Sequence, residues 1–493
     1  MALFFAPALF AQVTINVDAA ANRHPINPNV YGVAFATTAQ LLDLNVPLNR
    51  SGGNATTRYN WQLNASNHAA DWFFESIGET SALAGESADT FIRDTKAGGA
   101  QPMITIPILG WTAKLGPNRG NLASFSVAKY GAQQYTDPYM PDAGNGVRAN
   151  GSEVAGNDPN DANMPVDALF QQAWVQHLVA QWGGVRYYLL DNEPSIWHAT
   201  HRDVHPTGAT MDEVLAKMRD HAQRIRAADL SALICGPEEW GWGGYFYSGY
   251  DQQWAAAHDW SSFPDRVAHG GADSVPWLVS QMRGLLDVVT VHYYPQSGEF
   301  SDDVSTAMQL LRNRSTRSLW DPNYVDESWI GDKVRLIPRM REWAGGLPVG
   351  ITEYNWGAES DMNGATAQAD VLGIFGRAGL DLAARWTTPD AGSPAYDAIK
   401  IYRNYDGVKS SFGDTSVSAS GTNPDSVAVF AAQRSSDGAL TVMIVTKVLS
   451  GTTPATVKLA NFTAAASAQR WQLAAGTHVV RLADLTSLSL TLP

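Results

Sequence analysis

Residues 185–194 read VRYYLLDNEP, an apolar run that ends in a short acidic and amide-containing turn. An apolar run of this length without polar alternation is typical of a strand that is buried on both faces. Helix-like stretches separate it from seven similar runs, which favours a parallel sheet covered by helices. These runs lie at 30–35, 46–50, 102–108, 232–236, 287–292, 347–353 and 380–386. Because eight such strands close into a cylinder, we predict an α/β fold with a (β/α)₈ TIM barrel over residues 30–395.

Two helix-like stretches indicate where the covering helices begin. Residues 166–182 carry an apolar stripe with helical spacing. Residues 211–228 follow Thr210, and Glu213 completes the spacing of a capping box. Residues 136–165 are rich in Gly, Asn, Asp and Pro, and we expect them to form a long insertion on the face where barrels carry their sites.

The composition of the chain changes after about residue 395. The runs 427–434 (VAVFAAQR) and 440–447 (LTVMIVTK) flank a Ser-Ser-Asp-Gly segment, which is a hairpin signal. Together with the shorter strand-like runs that follow, they predict a β-sandwich domain over residues 396–493. The early run 13–17 is expected to join this sandwich.

The charge and the composition exclude several classes of partner. The chain has 493 residues, with 34 Lys and Arg against 48 Asp and Glu, which gives a net charge of −14. Such a balance repels nucleic acid and anionic membranes. The one cysteine, Cys235, excludes an intramolecular disulfide and any cysteine-based metal site. The 17 tryptophans exceed what a core needs and favour binding of sugar rings, whose faces are flat and apolar.

The N-terminus suggests export. Residues 3–10 (LFFAPALF) resemble the end of a secretory signal, so residues 1–29 are expected to be a signal-like remnant followed by the sandwich strand. The expected location is therefore secreted or periplasmic. A membrane span needs about 20 consecutive apolar residues, and the sequence contains no such run.

Two of the predicted strands end in a glutamate. Strand 4 ends with Glu193 in Asp-Asn-Glu-Pro, and strand 7 ends with Glu353 in Thr-Glu-Tyr-Asn-Trp. Carboxylates at the carboxyl ends of barrel strands point into the site built by the loops, and strands 4 and 7 lie on opposite sides of the barrel. Glycoside hydrolysis needs two such carboxyl groups, one on each side of the bond that breaks. The alternative is that each glutamate is a structural ion-pair partner.

Four longer stretches of sequence, two of which contain these glutamates, restrict the choice of enzyme family. They are NRSGGNATTRYNW (49–61), DNEPSIWHATHRDVHP (191–206), STRSLWDPNYVDESW (315–329) and ITEYNWGAESDMNG (351–364). In this order they resemble glycoside hydrolase family 44, the endo-β-1,4-glucanases and xyloglucanases, and the resemblance covers nearly the whole chain. It implies a barrel with a C-terminal β-sandwich and endo cleavage of β-1,4-glucans, such as cellulose derivatives and xyloglucan, with retention. It also implies Glu193 as the acid/base and Glu353 as the nucleophile.

Other polar residues are expected to shape the pocket. Arg50 ends strand 2 and Tyr294 ends strand 6, and we expect both to donate to Glu353 and keep it ionised. Asn192 is expected to donate to a sugar 2-hydroxyl. His292 is expected to be a hydrogen-bonded wall of the pocket rather than a base. Two alternatives stay open, namely that Arg50 is a plain ion-pair residue and that Tyr294 is a rim aromatic.

Some tryptophans at or after strand ends are expected to bind sugar rings, the alternative being that they only fill loops. Those singled out are Trp61, Trp320, Trp329 and Trp386.

The resemblance also implies a structural calcium, and it implies no cofactor for catalysis. In the 136–165 insertion, Asp158 and Asp161 supply the hard oxygen atoms that calcium prefers, although the spacing is not that of an EF-hand.

Two rival functions remain open at this stage. One is a retaining glycosidase of another specificity, for xylan, mannan or arabinofuranosides, because barrels with two glutamates serve many sugars. The other is a non-catalytic glucan-binding protein that relies on its aromatic surface, although binding has no need of the glutamate pair. The expected partner is a β-glucan polysaccharide, and the expected state is a monomer.

Overall fold

The structure is a computed structural model that describes residues 12–493. The apolar run at 3–10, which suggests a secretory signal, lies outside the described residues. Within them, no helix is both long enough and apolar enough to cross a membrane.

Eight parallel strands form a closed barrel in which each strand pairs with its neighbours in the sequence, and the last pairs with the first. We call them barrel strands 1 to 8. In chain order they are Gly32–Ala34, Leu48–Ser51, Gln101–Ile106, Tyr187–Leu190, Leu233–Glu239, Val288–Tyr293, Val349–Tyr354 and Leu382–Arg385. The barrel closes where Ala384 pairs with Gly32. Each of the eight predicted runs overlaps one barrel strand, so the predicted barrel is confirmed.

Apolar side chains on both faces of the strands explain why the runs lack polar alternation. One buried cluster fills the barrel interior: Leu48, Met103, Tyr187, Leu189, Cys235, Val288 and Leu382. Intervening residues such as Ile104, Tyr188 and Val289 belong to the larger core cluster outside the strands. A strand that is covered on both faces gains by being apolar at every position.

Helices cover the barrel and connect its strands. They are Thr38–Leu44, Asn54–Thr57, Glu86–Ala97, Val127–Tyr130, Ala168–Trp182, Trp197–Thr200, Met211–Ala228, Trp242–Phe246, Gly249–Ala257, Pro264–Ala268, Ser274–Gln281, Thr306–Ser315, Leu336–Ala344, Met362–Ala378 and Pro394–Arg403. The helix Met211–Ala228 begins as predicted, because the Thr210 side chain accepts a hydrogen bond from the Glu213 backbone. The Glu213 carboxylate instead pairs with His205, so only half of the capping box forms.

A small lobe follows barrel strands 2 and 3. It contains a three-stranded sheet of Ala65–Asn67, Glu75–Gly78 and Leu122–Ala123, and a two-stranded sheet of Trp111–Ala113 and Asn163–Pro165. Its loops come from the 136–165 insertion and from the segment after barrel strand 2. This lobe adds side chains to the region around the barrel mouth.

The C-terminal region is a sheet in which the N-terminal strand takes a central place. In order across the sheet, the strands are Leu440–Thr446, Val427–Gln433, Thr415–Ser420, Val13–Asp18, Thr453–Ala460 and Ser489–Leu492, with His24–Pro25 beside Thr415–Ser420. Val13–Asp18 runs antiparallel to Thr415–Ser420 and parallel to Thr453–Ala460. A separate ribbon pairs Ala468–Gln472 with Val480–Leu485.

The sheet is tied to the barrel by a buried ion pair. The Lys447 ammonium lies 2.6 Å from Asp370 in helix Met362–Ala378, and it also donates to the carbonyl of Asn313. The helix Pro394–Arg403 packs on the same helix and runs across the expected domain boundary between residues 395 and 396.

Candidate active site

Glu193 and Glu353 meet at the carboxyl ends of barrel strands 4 and 7. A carboxylate oxygen from each lies within 4.8 Å of the other and of a ring nitrogen of His292. Glu353 is the fifth residue of barrel strand 7 and is only 5% exposed. Glu193 stands just beyond barrel strand 4 in a left-handed conformation, with φ of 50°, and its backbone N–H donates to the carbonyl of Glu238. The two acids that the sequence predicts at strand ends are therefore brought together.

Glu353 is surrounded by donors. Arg50 Nη1 lies 2.6 Å from Oε1 of Glu353, and the Tyr294 hydroxyl donates to Oε2 at 2.8 Å. Burial by itself would raise the pKa of Glu353, but the positive charges of His292 and Arg50 outweigh it and hold the pKa below the ordinary value. Glu353 is thus an ionised carboxylate at neutral pH.

The pKa of Glu193 is shifted in the opposite direction. Burial raises its pKa above the ordinary glutamate value, and the negative charge of Glu353 adds to this effect. The His292 contact, with Nδ1 at 2.9 Å from Oε1 of Glu193, opposes the shift without reversing it. One member of the pair therefore retains a proton more readily while the other loses it, which is the division of roles that acid catalysis requires.

His292 is buried between carboxylates. Its Nδ1 lies 2.9 Å from Glu193 and 3.5 Å from Glu353, and its Nε2 lies 3.3 Å from Oε2 of Glu238. Burial lowers the pKa of an imidazole, but the carboxylates of Glu353, Glu193 and Glu238 raise the pKa of His292 to about 9. A cationic His292 has no free lone pair, so it donates hydrogen bonds in the pocket and does not act as a base.

The Asp-Asn-Glu turn is fixed by its first residue. Asp191 is buried and accepts hydrogen bonds from the Thr57 hydroxyl at 2.6 Å and from the Leu109 backbone at 2.9 Å. Asn192 then faces Arg50, whose Nη2 lies 3.4 Å from its Oδ1, and its amide donates to Asn54. The sequence-predicted Arg50, Asn192, His292 and Tyr294 thus form one hydrogen-bonded cluster with the two glutamates.

Trp386 and Trp329 stand next to this cluster. Trp386 directly follows barrel strand 8, and its ring centroid lies 5.8 Å from the Arg50 guanidinium. Trp329 is 61% exposed, and its indole N–H donates to Gln296, whose amide donates to the carbonyl of Tyr294. Trp386 therefore lies beside Arg50, and Trp329 is exposed near Tyr294, which donates to Glu353.

Trp61 and Trp320 do not join the cluster. The Trp61 ring packs on Phe170 and His177 of the helix Ala168–Trp182, and its indole donates to the Phe170 carbonyl. The Trp320 ring lies under the guanidinium of Arg377, with 4.4 Å between the ring centroid and Cζ. These contacts place both indoles in the packing between helices, where the sequence alone does not distinguish them from pocket aromatics.

Asp158 and Asp161 both make contacts with groups of the protein. Both oxygens of Asp161 lie within 2.8 Å of the Lys129 ammonium, and Tyr130 donates to the same carboxylate. Asp158 caps the turn that follows it by accepting from the Asn160 backbone. A positive charge, that of Lys129, therefore already lies against Asp161.

Glu75 and Asp137 form an acidic pair that sequence reasoning missed. Glu75 lies in the lobe and is 1% exposed, and its Oε2 accepts no hydrogen bond from any residue in the range 12–493. Burial, together with the adjacent Asp137 carboxyl, raises the pKa of Glu75 to about 7. The two residues are 62 positions apart in the sequence, so no local spacing indicates the pair.

Glu238 and Glu239, at the end of barrel strand 5, were also missed. Glu238 is fully buried and accepts hydrogen bonds from the hydroxyls of Thr290 and Thr352. Glu239 accepts from Ser195 at 2.6 Å, and burial raises its pKa to about 8. The predicted run ended at residue 236, although the Pro-Glu-Glu that follows shows the same placement of acids at a strand end as barrel strands 4 and 7.

Comparisons with known proteins agree with this geometry. The family model described as glycoside hydrolase family 44 matches residues 65–297. The solved structure of CelM2, a bifunctional glucanase-xylanase from a metagenome library, is 64% identical with a TM-score of 0.96, and the match covers 98% of this chain and 97% of that one. A Paenibacillus polymyxa xyloglucanase from family 44, solved with xyloglucan, is 26% identical with a TM-score of 0.80, and the match covers 98% of both chains.

Two curated proteins also match. Endoglucanase A of Paenibacillus lautus is 29% identical over 86% of this chain, and beta-mannanase/endoglucanase A of Caldicellulosiruptor saccharolyticus is 28% identical over 86% of it. The matched part spans 62% and 33% of the length of these relatives. A closed barrel with its glutamates at strands 4 and 7, a family model over its centre and a close relative along its whole length together lead to one conclusion: the chain belongs to glycoside hydrolase family 44.

Proposed function

We propose that this chain is a retaining, endo-acting glycoside hydrolase that cleaves β-1,4-glucan chains by double displacement. The observation that carries the proposal is the separation of Glu193 and Glu353, whose carboxylate oxygens approach within 4.8 Å. Retaining enzymes hold their carboxyl groups about 5–5.5 Å apart, whereas inverting enzymes need about 6.5–9.5 Å to admit a water molecule.

In the first step, the Glu353 carboxylate attacks the anomeric carbon while Glu193 donates its proton to the glycosidic oxygen. The C–O bond to the leaving chain breaks, and a covalent glycosyl-enzyme forms. In the second step, Glu193 takes a proton from water, the water oxygen bonds to the anomeric carbon, and the Glu353 carboxylate leaves. Both residues return to their starting protonation states.

The electrostatics of the pair support the change of role at Glu193. While Glu353 is ionised, its charge helps to raise the pKa of Glu193, so Glu193 holds the proton that it must donate. Formation of the glycosyl ester removes that charge. The pKa of Glu193 then falls, and the ionised carboxylate is ready to accept a proton from water.

Named relatives guide the choice of substrate. The solved structure that is 64% identical is named a bifunctional glucanase-xylanase, and another is a xyloglucanase. We therefore propose soluble cellulose derivatives and xyloglucan as substrates, with xylan as the second candidate. Trp386 and Trp329 offer flat apolar faces beside Glu353 for the sugar rings of such a chain.

A substrate panel tests this proposal. Release of reducing ends is compared for xyloglucan, carboxymethylcellulose, glucomannan and xylan, and the first product is followed by proton NMR. We expect release from the glucans and a β-anomer as the first product. An initial α-anomer contradicts retention, and retention of glucan by the protein without any product favours the binding-protein alternative.

We further propose that the calcium implied by the family resemblance is held by Glu75 and Asp137 rather than by Asp158 and Asp161. A buried carboxylate oxygen without a donor, next to a second carboxyl group, is costly unless a cation or a proton lies between them. Both groups offer the hard oxygen ligands that calcium prefers. When bound, the ion would supply structural stability to the lobe. A secreted or periplasmic location and a monomeric state stay predictions.

A further inference from the structure

A third carboxylate, that of Glu238, lies beside the two cations of the active site. It stands near the end of barrel strand 5 and is fully buried. Its Oε2 lies 3.3 Å from Nε2 of His292 and 3.8 Å from Nη2 of Arg50, and it accepts from the Thr352 hydroxyl at 2.6 Å. Glu238 therefore reaches both cations that contact Glu353, without itself pairing with the Glu353 carboxylate.

Glu238 is one of three carboxylates that favour the cationic form of His292. A neutral imidazole carries one N–H, and a cationic ring carries two. His292 has a carboxylate oxygen near each ring nitrogen, that of Glu193 near Nδ1 and that of Glu238 near Nε2. The ring donates in both contacts only when it is cationic, because a neutral ring that donates from Nε2 must accept at Nδ1 from the protonated Glu193 carboxyl. The Glu238 carboxylate favours the cationic ring, in which His292 donates to both glutamates.

Glu238 is the buried acid that lies next to both cations without pairing with Glu353, so its charge offsets theirs. Arg50 and His292 are positive and Glu353 is negative, so with Glu193 protonated these four groups carry one excess positive charge. The carboxylate of Glu238 cancels that excess, which matters because unbalanced buried charge is costly. Burial holds the pKa values of the Cys235 thiol and the Tyr294 hydroxyl well above their ordinary values, so both are neutral, and Asp191, whose pKa burial raises to about 6, and Asp71 are further acidic groups near the cluster.

We propose that Glu238 is a positioning residue of the hydrolytic reaction. It acts through His292 and Arg50, keeping the ring cationic and oriented while Glu193 retains the proton for the leaving group. The inference rests on the proposed function and deepens it. A purely structural role, in which Glu238 only accepts from the two threonine hydroxyls, predicts a change in stability with no change in the pH dependence of the reaction.

The main test uses Glu238→Gln, which preserves the size of the side chain and removes its charge. Because the pKa of every nearby group falls when a negative neighbour is lost, we expect both limbs of the kcat/KM profile to move to lower pH, by about one unit. We expect kcat to fall and KM on carboxymethylcellulose to stay within about twofold, because Glu238 does not face the substrate groove. Limbs that stay at their wild-type positions overturn the proposal, whatever happens to Tm.

The charge of His292 is measured directly by nitrogen-15 NMR of labelled histidine, with the resonance assigned from a His292→Gln sample. We expect a cationic ring at pH 7 in the wild type, and in Glu238→Gln we expect the titration midpoint of the ring to move to lower pH by about one unit. A neutral ring in the wild type overturns the proposal without any variant. This measurement needs no turnover, so it is independent of whether the substrate panel fails.

Matched variants separate charge from shape. Glu239→Gln changes the adjacent buried residue, whose carboxyl is already protonated at neutral pH because burial raises its pKa to about 8. We expect both limbs of the kcat/KM profile of Glu239→Gln to stay at their wild-type positions. A shift equal to that of Glu238→Gln contradicts a role that is specific to Glu238.

Glu238→Asp keeps the negative charge and shortens the side chain by one methylene group. If Glu238→Gln does not fold, the Asp variant is expected to keep both limbs and a cationic His292 with a reduced kcat, and a neutral ring overturns the proposal.

Discussion

Arg50 Nη1 lies 2.6 Å from Oε1 of Glu353, and the two residues are 303 positions apart in the sequence. Arg50 comes from barrel strand 2 and Glu353 from barrel strand 7, so the pair spans the mouth of the barrel. The guanidinium helps to keep Glu353 ionised in a buried place, where a carboxylate alone would be protonated more readily. Five predictions follow from this arrangement and from the site around it.

Replacing each glutamate by alanine distinguishes the two roles. We expect Glu193→Ala to lower kcat by about 10²- to 10⁴-fold, because the leaving oxygen loses its acid. With an aryl β-cellobioside, azide is expected to restore turnover and give the β-glycosyl azide, since azide attacks the glycosyl-enzyme from the face opposite Glu353. Glu353→Ala with azide is expected to give the α-azide. Interchanged products reverse the assignment of roles.

The pH dependence of kcat/KM follows from the opposite pKa shifts of the pair. Glu353 has its pKa lowered and must be ionised, so the acid limb is expected below the ordinary glutamate pKa. Glu193 has its pKa raised and must be protonated, so the alkaline limb is expected above that value. Initial rates on carboxymethylcellulose from pH 3 to 10 check this. A single limb in place of a bell contradicts a role for both acids.

Tyr294→Phe removes the hydroxyl that donates to Glu353 Oε2 at 2.8 Å. We expect kcat/KM to fall about 10- to 100-fold, the equivalent of ~1.5–3 kcal/mol for a hydrogen bond to a charged group. We also expect the acid limb to move to higher pH, because the donor favours the ionised carboxylate. Tyr293→Phe, at the adjacent buried tyrosine that faces Asp326, is the control and should leave that limb in place.

Trp329 and Trp320 are expected to respond differently to replacement by alanine. Trp329 is exposed beside the mouth, so Trp329→Ala should raise KM on xyloglucan about 2- to 10-fold with kcat little changed, in line with ~0.5–1.5 kcal/mol for an aromatic contact. Trp320 packs under Arg377, so Trp320→Ala should lower Tm and leave KM unchanged. Kinetics and thermal melts of both variants decide this. Equal effects on KM would place both rings in the groove.

Removal of calcium should lower the thermal stability. We expect EDTA to lower Tm and added calcium to restore it, because the ion would neutralise the buried Glu75 and Asp137 pair. Glu75→Gln should abolish the response to EDTA, whereas Asp158→Asn should keep it, since Asp158 only caps a turn. A response lost in Asp158→Asn and kept in Glu75→Gln returns the site to Asp158 and Asp161.

The local pattern of apolar residues predicts the strands of this fold well, because each strand is buried along its whole length whatever its neighbours are. Each barrel strand is covered on both faces, so each is apolar along its length and visible without knowledge of its neighbours. Placing acids at strand ends also follows from the sequence, since all parallel strands end at one rim. Glu193 and Glu353 were predicted in this way, and the fold brings them to one place.

Residues of the same type in similar sequence positions make different contacts in the structure, and the sequence alone does not predict which. Trp61 and Trp320, like Trp386, are predicted to lie at or after strand ends and to bind sugar, yet they pack on helices. Asp161 and Glu75 both carry a carboxyl group, but a lysine 32 positions away lies against Asp161. Nothing in the neighbouring residues reports which side chain meets which, because these contacts join segments that are distant in the chain.

The sequence by itself determined the number and order of the barrel strands, the acids at their ends and the family to which the stretches around them belong. These features depend on local periodicity and on residue type, which folding does not alter. Only the tertiary structure decided the charge state of the cluster, with His292 cationic between Glu193 and Glu238 and with Arg50 against Glu353. A protonation state depends on burial and on distances between charges, and those exist only when the strands have closed into a barrel.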